Sequence, residues 1–427
     1  MLFFDRLLPR TRRARKAALT LWIMVAIAVP IWSHLDSSGW DFAVYRAAVH
    51  ALGLGHDPYA DGAAIQIAYH QRIAQHLPVS PDPPYDYVYS PLTLPVLRVI
   101  GRLPHAVSRS GFWLLYVLGA FAIVWGGMQA AEDDEVPYFA FVAPVAIFFP
   151  GLLENGIILS GNIAYIIYGT ALVAAVAGWK TGRWIWFYLL VILASCFKAP
   201  LLTLLVIPPL CARKQWLPAG LSAVAGVALF GVQPLLWPTL FRNFLTAVNL
   251  QFLYNRDFGS SPSGFFAGLL YDHGLNYSKG SLAFYLLYAI PLLLTLLHLS
   301  RKVKRGEIAL TRWIPVLLVG VILLNPRIIE YDLAILTIPF ALILWRAVPG
   351  MLDTARRRAA TLAVFVVVNL MAYQSWIAWK SIECCLLVAL FATGVRSLVR
   401  GSQTEEACES TSDAMEHPAE PVGSFGV

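Results

Sequence analysis

The stretch W-D-F-A-V-Y-R-A-A, Trp40 to Ala48, sets a carboxylate, Asp41, a few residues beyond an apolar segment, with Tyr45 and Arg46 close behind it. A carboxylate at such a boundary can take a proton from an alcohol, or it can simply cap a helix beginning at Phe42, a position where Asp is favoured. Other segments also concentrate polar groups in apolar surroundings: Tyr87, Tyr89 and Ser90; Glu154 and Asn155; S-G-N, Ser160 to Asn162; F-K-A-P, Phe197 to Pro200; and N-P-R-I-I-E-Y-D, Asn325 to Asp332. Lys198 and Arg327 are cations suited to a phosphate or pyrophosphate, with Arg46 and Arg256 as further candidates. Tyr45, Tyr89, Asn162, Glu330 and Tyr331 offer donors and acceptors to hydroxyl groups. Each has a plainer use as well. Lys198 can snorkel to an interface, and Glu330 and Asp332 can pair with Arg327 in a structural ion cluster.

Several chemistries are excluded. His34, His50, His56, His70 and His76 crowd one region, but no H-x-x-x-H or H-E-x-x-H spacing occurs, so no metal site is expected. No nucleotide-binding glycine motif is present, and no other cofactor is implied. The five cysteines, Cys196, Cys211, Cys384, Cys385 and Cys408, show neither ligand spacing nor an extracytoplasmic pair. A net charge of +7 could suggest nucleic acid. The cations, however, cluster in short loops beside apolar segments, where they orient a chain in a bilayer.

With 58% hydrophobic residues, 13% charged residues and a mean hydropathy of +0.64, the 427-residue chain reads as a polytopic, all-α membrane protein. Apolar runs fall at about 17–32, 111–130, 137–150, 161–178, 184–197, 199–211, 217–237, 283–299, 311–324, 332–348, 359–378 and 382–399, giving about twelve spans within a range of 10–13. With the Arg-rich N-terminus inside, this count places Lys180–Arg183, Ala212–Trp216, Arg301–Arg305 and Arg356–Arg358 inside, as the positive-inside rule expects. It requires Pro91 to Pro104 to be an interfacial helix rather than a span, and it leaves the acidic Ala131–Glu135 inside. Large extracytoplasmic loops then cover about 33–110 and 238–282, smaller ones cover 151–160 and 325–331, and all the polar segments named above share one face. The chain divides into a membrane domain, 1–400, and a polar, acidic stretch, 401–427, expected to be a disordered cytoplasmic tail.

D-F-x-V-Y-x-A-A…G-x-D-P-Y (Asp41 to Tyr59), Y-x-Y-S-P-L (Tyr87 to Leu92), S-G-N, F-K-A-P and N-P-R-x-x-E-Y-D together resemble glycosyltransferase family 87. That family, also described as a domain of unknown function, includes mycobacterial polyprenol-phosphate-mannose-dependent alpha-(1,2)-mannosyltransferases. The resemblance runs from the first helix to about the tenth span. It implies a GT-C-type bundle whose extracytoplasmic loops carry short interfacial helices, in a bacterial plasma membrane with both termini cytoplasmic. It also implies inverting transfer of a mannose-like hexose from a polyprenyl-phosphate donor to a hydroxyl of a lipid or glycan acceptor, with Asp41 matching the family's essential aspartate. The mannosyltransferase members use a late histidine that N-P-R-I-I-E-Y-D lacks, so the identities of donor and acceptor do not carry over. Two other functions would suit a polar pocket in a bundle. One is transport of lipid-linked sugars, which predicts mid-span charges and inverted repeats; the other is a non-catalytic role in envelope assembly.

Overall fold

The computed structural model describes residues 11–33, 39–79, 84, 86–132, 135, 160–255, 258–347, 354–373 and 379–416. Among the described residues there are helices and no strand. A helix satisfies its own backbone N–H and C=O groups, which hydrocarbon would otherwise leave without partners. In chain order the helices are α1 (Arg12–Ser33), α2 (Trp40–Gly53), α3 (Pro58–Ala74), α4 (Leu94–Gly101), α5 (His105–Met128), α6 (Ala164–Thr181), α7 (Ile185–Ser195), α8 (Trp216–Gly231), α9 (Pro238–Asn255), α10 (Pro262–Asp272), α11 (Tyr277–Arg305), α12 (Leu310–Leu323), α13 (Thr337–Ala347), α14 (Thr354–Tyr373) and α15 (Trp379–Glu416). Short helical turns at Pro91–Thr93, Ala199–Val206, Ile207–Cys211, Gln233–Leu236 and Glu330–Leu336 join or extend them.

Among the described residues, four helices are long and apolar enough to cross a membrane: His105–Met128, Trp216–Leu236, Tyr277–Arg305 and Ser381–Arg400. Among the described residues the apolar runs marked in the sequence are largely helical; 137–150, 348 and 374–378 lie outside the described residues, together with Glu154, Asn155 and Arg256. The outward faces of α8 and α11 are apolar, with Leu217 72% and Leu287 71% exposed. Water would penalise such faces, whereas lipid chains would not. Helix α15 continues through 401–416, which composition alone marks as an unstructured tail; 417–427 are not among the described residues.

The bundle is tight where side chains are smallest. A Cβ on Gly119 of α5 would lie 2.5 Å from the Tyr165 carbonyl oxygen, and one on Gly169 of α6 would lie 2.3 Å from that of Gly119, so glycine is what lets these two backbones meet. At the centre, α12 is buried from Trp313 to Leu323, and α13 is apolar and buried over most of its length.

The cationic loops gather at one end. There Arg346 donates to Glu135 at 2.5 and 2.8 Å and to the carbonyl oxygens of Thr311 and Ala130. Glu132 accepts from Thr311 at 3.0 Å and lies 3.4 Å from Arg312, while Lys180 donates to Gln129 at 2.7 Å. Glu132 and Glu135 thus sit among the cations as their partners.

Candidate active site

A cavity of about 730 Å³ opens among α2, α9, the turn after α7 and the loop between α12 and α13. Its walls include Asp41, Tyr89, Asn162, Lys198, Arg327, Glu330 and Tyr331, so seven of the ten residues singled out from the sequence meet here. Of the others, Tyr45 and Arg46 line a second, largely apolar cavity of about 670 Å³, and Arg256 is outside the described residues. Tyr89 and Phe197 border both cavities.

Asp41 is not the cap of its helix. Helix α2 begins at Trp40 with Gly39 as its N-cap, and no side chain caps it. The amides of Asp41 and Phe42 donate instead to the carbonyl oxygen of Ser160, at 3.0 and 3.3 Å. Asp41 therefore lies in the first turn, where the positive end of the helix dipole favours a carboxylate, with its half-buried side chain at the cavity. The capping role belongs to Asp57 of H-D-P-Y. Its Oδ1 accepts from the amides of Tyr59 and Ala60 at 2.9 and 3.4 Å, Pro58 opens α3, and Oδ2 accepts from Asn243 of α9 at 2.7 Å.

S-G-N works as a joint. Ser160 holds the start of α2, and Gly161 adopts φ +70°, where a Cβ would lie 2.9 Å from that of Phe42. Asn162 accepts from the Ala164 amide at 2.9 Å, which starts α6, and its Nδ2 lies 3.5 Å from the Tyr89 hydroxyl. The Tyr45 and Tyr89 hydroxyls are 2.9 Å apart, the Ile163 amide donates to Tyr45 at 3.1 Å, and Tyr59 donates to the Tyr89 carbonyl at 2.6 Å. Burial, and then the neighbouring Asp41 carboxylate, push the Tyr89 hydroxyl well above its usual pKa, so it stays protonated as a donor. Tyr45 stays protonated for the same reason, with burial dominant and Tyr89 and Asp41 adding to it.

On the opposite wall, Asp332 pairs with Lys198 at 3.5 Å, accepts from Tyr168 at 3.1 Å and from the Ile329 amide at 3.0 Å, and is 2% exposed. The structural partner for Asp332 is therefore Lys198, where sequence spacing suggested Arg327. The ammonium of Lys198 also lies 4.6 Å from the centre of the Tyr331 ring, and Arg327 lies over Phe252 at 5.2 Å. The loop carrying Arg327 is strapped from outside. Ser263 donates to the Pro326 carbonyl at 2.6 Å, the Ser260 amide donates to Ile328 at 2.7 Å, and a Cβ on Gly259 would lie 2.3 Å from the Ile328 oxygen.

Asp86 is the residue that sequence reasoning passed over. It lines the same cavity and is 3% exposed. Burial raises its carboxyl from 3.8 to about 7. A signal existed in Y-D-Y-V-Y-S, Tyr85 to Ser90. Asp86, Val88, Tyr89 and Ser90 of this segment all line the cavity, while Tyr87 joins the aromatic core behind it. Among the described residues no cluster of three or more His, Cys, Asp or Glu side chains could hold a metal ion.

No family model matches the chain, and no curated protein matches it either. The functional reading therefore stands on the residues and their arrangement.

Proposed function

We propose that this protein is an integral-membrane glycosyltransferase that moves a hexose from a polyprenyl-phosphate donor to an acceptor hydroxyl. The observation that carries the reading is a carboxylate, Asp41, and two cations, Lys198 and Arg327, in the wall of one cavity of about 730 Å³. That volume suits a sugar phosphate together with part of an acceptor. The adjoining cavity, walled by Phe42, Val49, Leu97, Ile100 and Leu115, offers apolar surface to an isoprenoid chain, with Arg46 on its wall.

In the proposed reaction Asp41 accepts the proton of the acceptor hydroxyl as that oxygen bonds to the anomeric carbon. The bond from that carbon to the phosphate oxygen breaks, the phosphate leaves with the electron pair, and the configuration inverts. Phosphate is a good leaving group, so no acid is needed to protonate it. Lys198 and Arg327 offset the charge gathering on it. Lys198 has three N–H donors, so its pairing with Asp332 leaves capacity for a phosphate oxygen. Tyr331, Glu330, Asn162 and Tyr89 are placed to hold sugar hydroxyls. The setting is a multi-pass arrangement of about twelve spans in a bacterial plasma membrane, with this cavity on the extracytoplasmic side and the cationic loops and termini in the cytoplasm.

The test is transfer from short-chain polyprenyl-phosphate hexoses by purified full-length protein, beside Asp41→Asn of equal expression and folding. Loss of transfer in the variant supports the reading. Full transfer by Asp41→Asn sinks the role of Asp41. Movement of intact lipid-linked sugar across vesicles without transfer would mark the protein as a transporter instead.

A further inference from the structure

We infer that Asp86 is a substrate-contacting carboxylate whose oxygens exchange hydrogen bonds with hydroxyl groups of a polyhydroxyl ring held in the large cavity. The transferase reading above supplies the identity of that ring, the transferred hexose. The assignment of Asp86 as a ligand-binding group rests on its own surroundings.

Those surroundings are unusual for a carboxylate. Asp86 is 3% exposed, it lines the cavity, and neither oxygen, each nearly without accessible surface, has a hydrogen-bond partner among the described residues. Buried polar atoms are paired as a rule, and a carboxylate left without donors is among the costliest exceptions. The neighbouring helix makes room for it. A Cβ on Gly62 of α3 would lie 3.1 Å from Oδ1, so the space Asp86 occupies exists because that helix carries no side chain there. One turn along the same helix, Gln66 is fully buried and its amide oxygen and nitrogen likewise have no partner among the described residues.

The chemistry of the missing partner follows from the cavity. Lys198 pairs with Asp332 and not with Asp86, so the cavity's own lysine does not complete it. A hydroxyl donates to an ionised carboxylate and accepts from a protonated one, so it pairs with Asp86 in either state. With a carboxyl titrating at about 7, both states are populated at neutral pH. Trp40 lines the same cavity, is exposed, and offers an aromatic face to the apolar side of a sugar ring. A polyol ring supplies hydroxyls at its edge and C–H groups on its face, and these two kinds of wall match it.

The experiment is thermal unfolding of detergent-solubilised full-length protein, wild type and Asp86→Asn, with and without a short-chain polyprenyl-phosphate hexose. Asp86→Asn is expected to raise the unliganded midpoint by about 1–3 °C, because it removes a buried carboxylate that has no partner. It is also expected to weaken binding of the probe by roughly tenfold or more. A lowered unliganded midpoint would make Asp86 a structural group and overturn the inference, and so would unchanged probe affinity. If the wild type ignores the probe, the transferase reading fails instead, and the unliganded midpoints alone decide Asp86.

Discussion

The end of the bundle that holds Glu135 and the cavity wall that holds Asp86 both bury a carboxylate, and they treat it in opposite ways. Glu135 is 2% exposed and receives two hydrogen bonds from Arg346, which is itself tied to two backbone carbonyls. Asp86 is 3% exposed and has no such donors among the described residues. Asp332 resembles Glu135, with Lys198, Tyr168 and a backbone amide around it, even though it lines the same cavity as Asp86. Burial by itself therefore does not distinguish a structural acid from a binding one. The difference lies in whether the fold or a ligand completes the hydrogen bonds. A completed ion cluster locks helices together; an incomplete one leaves a site with capacity to bind.

Substitutions should separate the two settings. The largest effect is expected at the proposed base: Asp41→Asn should lower kcat/KM for transfer by about 10²- to 10⁴-fold while leaving the unfolding midpoint nearly unchanged. Glu135→Ala should do the reverse, costing about 3–5 kcal/mol of stability by leaving Arg346 buried without its carboxylate, as read from denaturant or thermal unfolding. A Glu135→Ala protein as stable as wild type would erase the contrast drawn here.

The pH dependence provides a subtler separation. In the folded chain Asp86 keeps its proton up to about pH 7, whereas its ordinary value is 3.8, so between these limits the folded state binds more protons than the unfolded one. The sign follows: this group's contribution to stability falls as pH rises from about 4 to about 7. The charged groups that share its cavity are Asp41, Lys198, Arg327, Glu330 and Asp332. Asp86→Asn should flatten that part of the profile of unfolding midpoint against pH, and an unchanged slope would assign it to one of the others. A modest effect is expected at the cap. Asp57→Ala should cost about 1–2 kcal/mol, because α3 loses its N-cap and its tie to Asn243, with transfer reduced only through displacement of the α3 wall.

The helices were legible because each apolar run is a local signal, long enough to read without its neighbours. The residue types of Asp41, Asn162, Lys198 and Arg327, which line one cavity, were legible too, as polar groups set in apolar surroundings. The capping assignment was not. Asp41 sits in the first turn of α2 rather than ahead of it, its own amide and that of Phe42 donating to the carbonyl of Ser160, more than a hundred residues away, whereas Asp57 precedes α3 and caps it. The pairing of Asp332 was equally non-local: Arg327 is close in sequence, but α7 and the turn after it bring Lys198 into reach.

By itself the sequence determined an apolar helical chain and the residue types available for a base and for phosphate binding. Composition and periodicity are properties of neighbouring residues, and they suffice for those statements. Which carboxylates are completed by the fold and which face the cavity was decided only by tertiary structure. That choice depends on donors arriving from distant segments: Arg346 reaching Glu135, Lys198 reaching Asp332, and no such donor among the described residues reaching Asp86. Solvation and hydrogen bonding of a buried charge are set within a few ångströms in space, and residues that close need not be close in the chain.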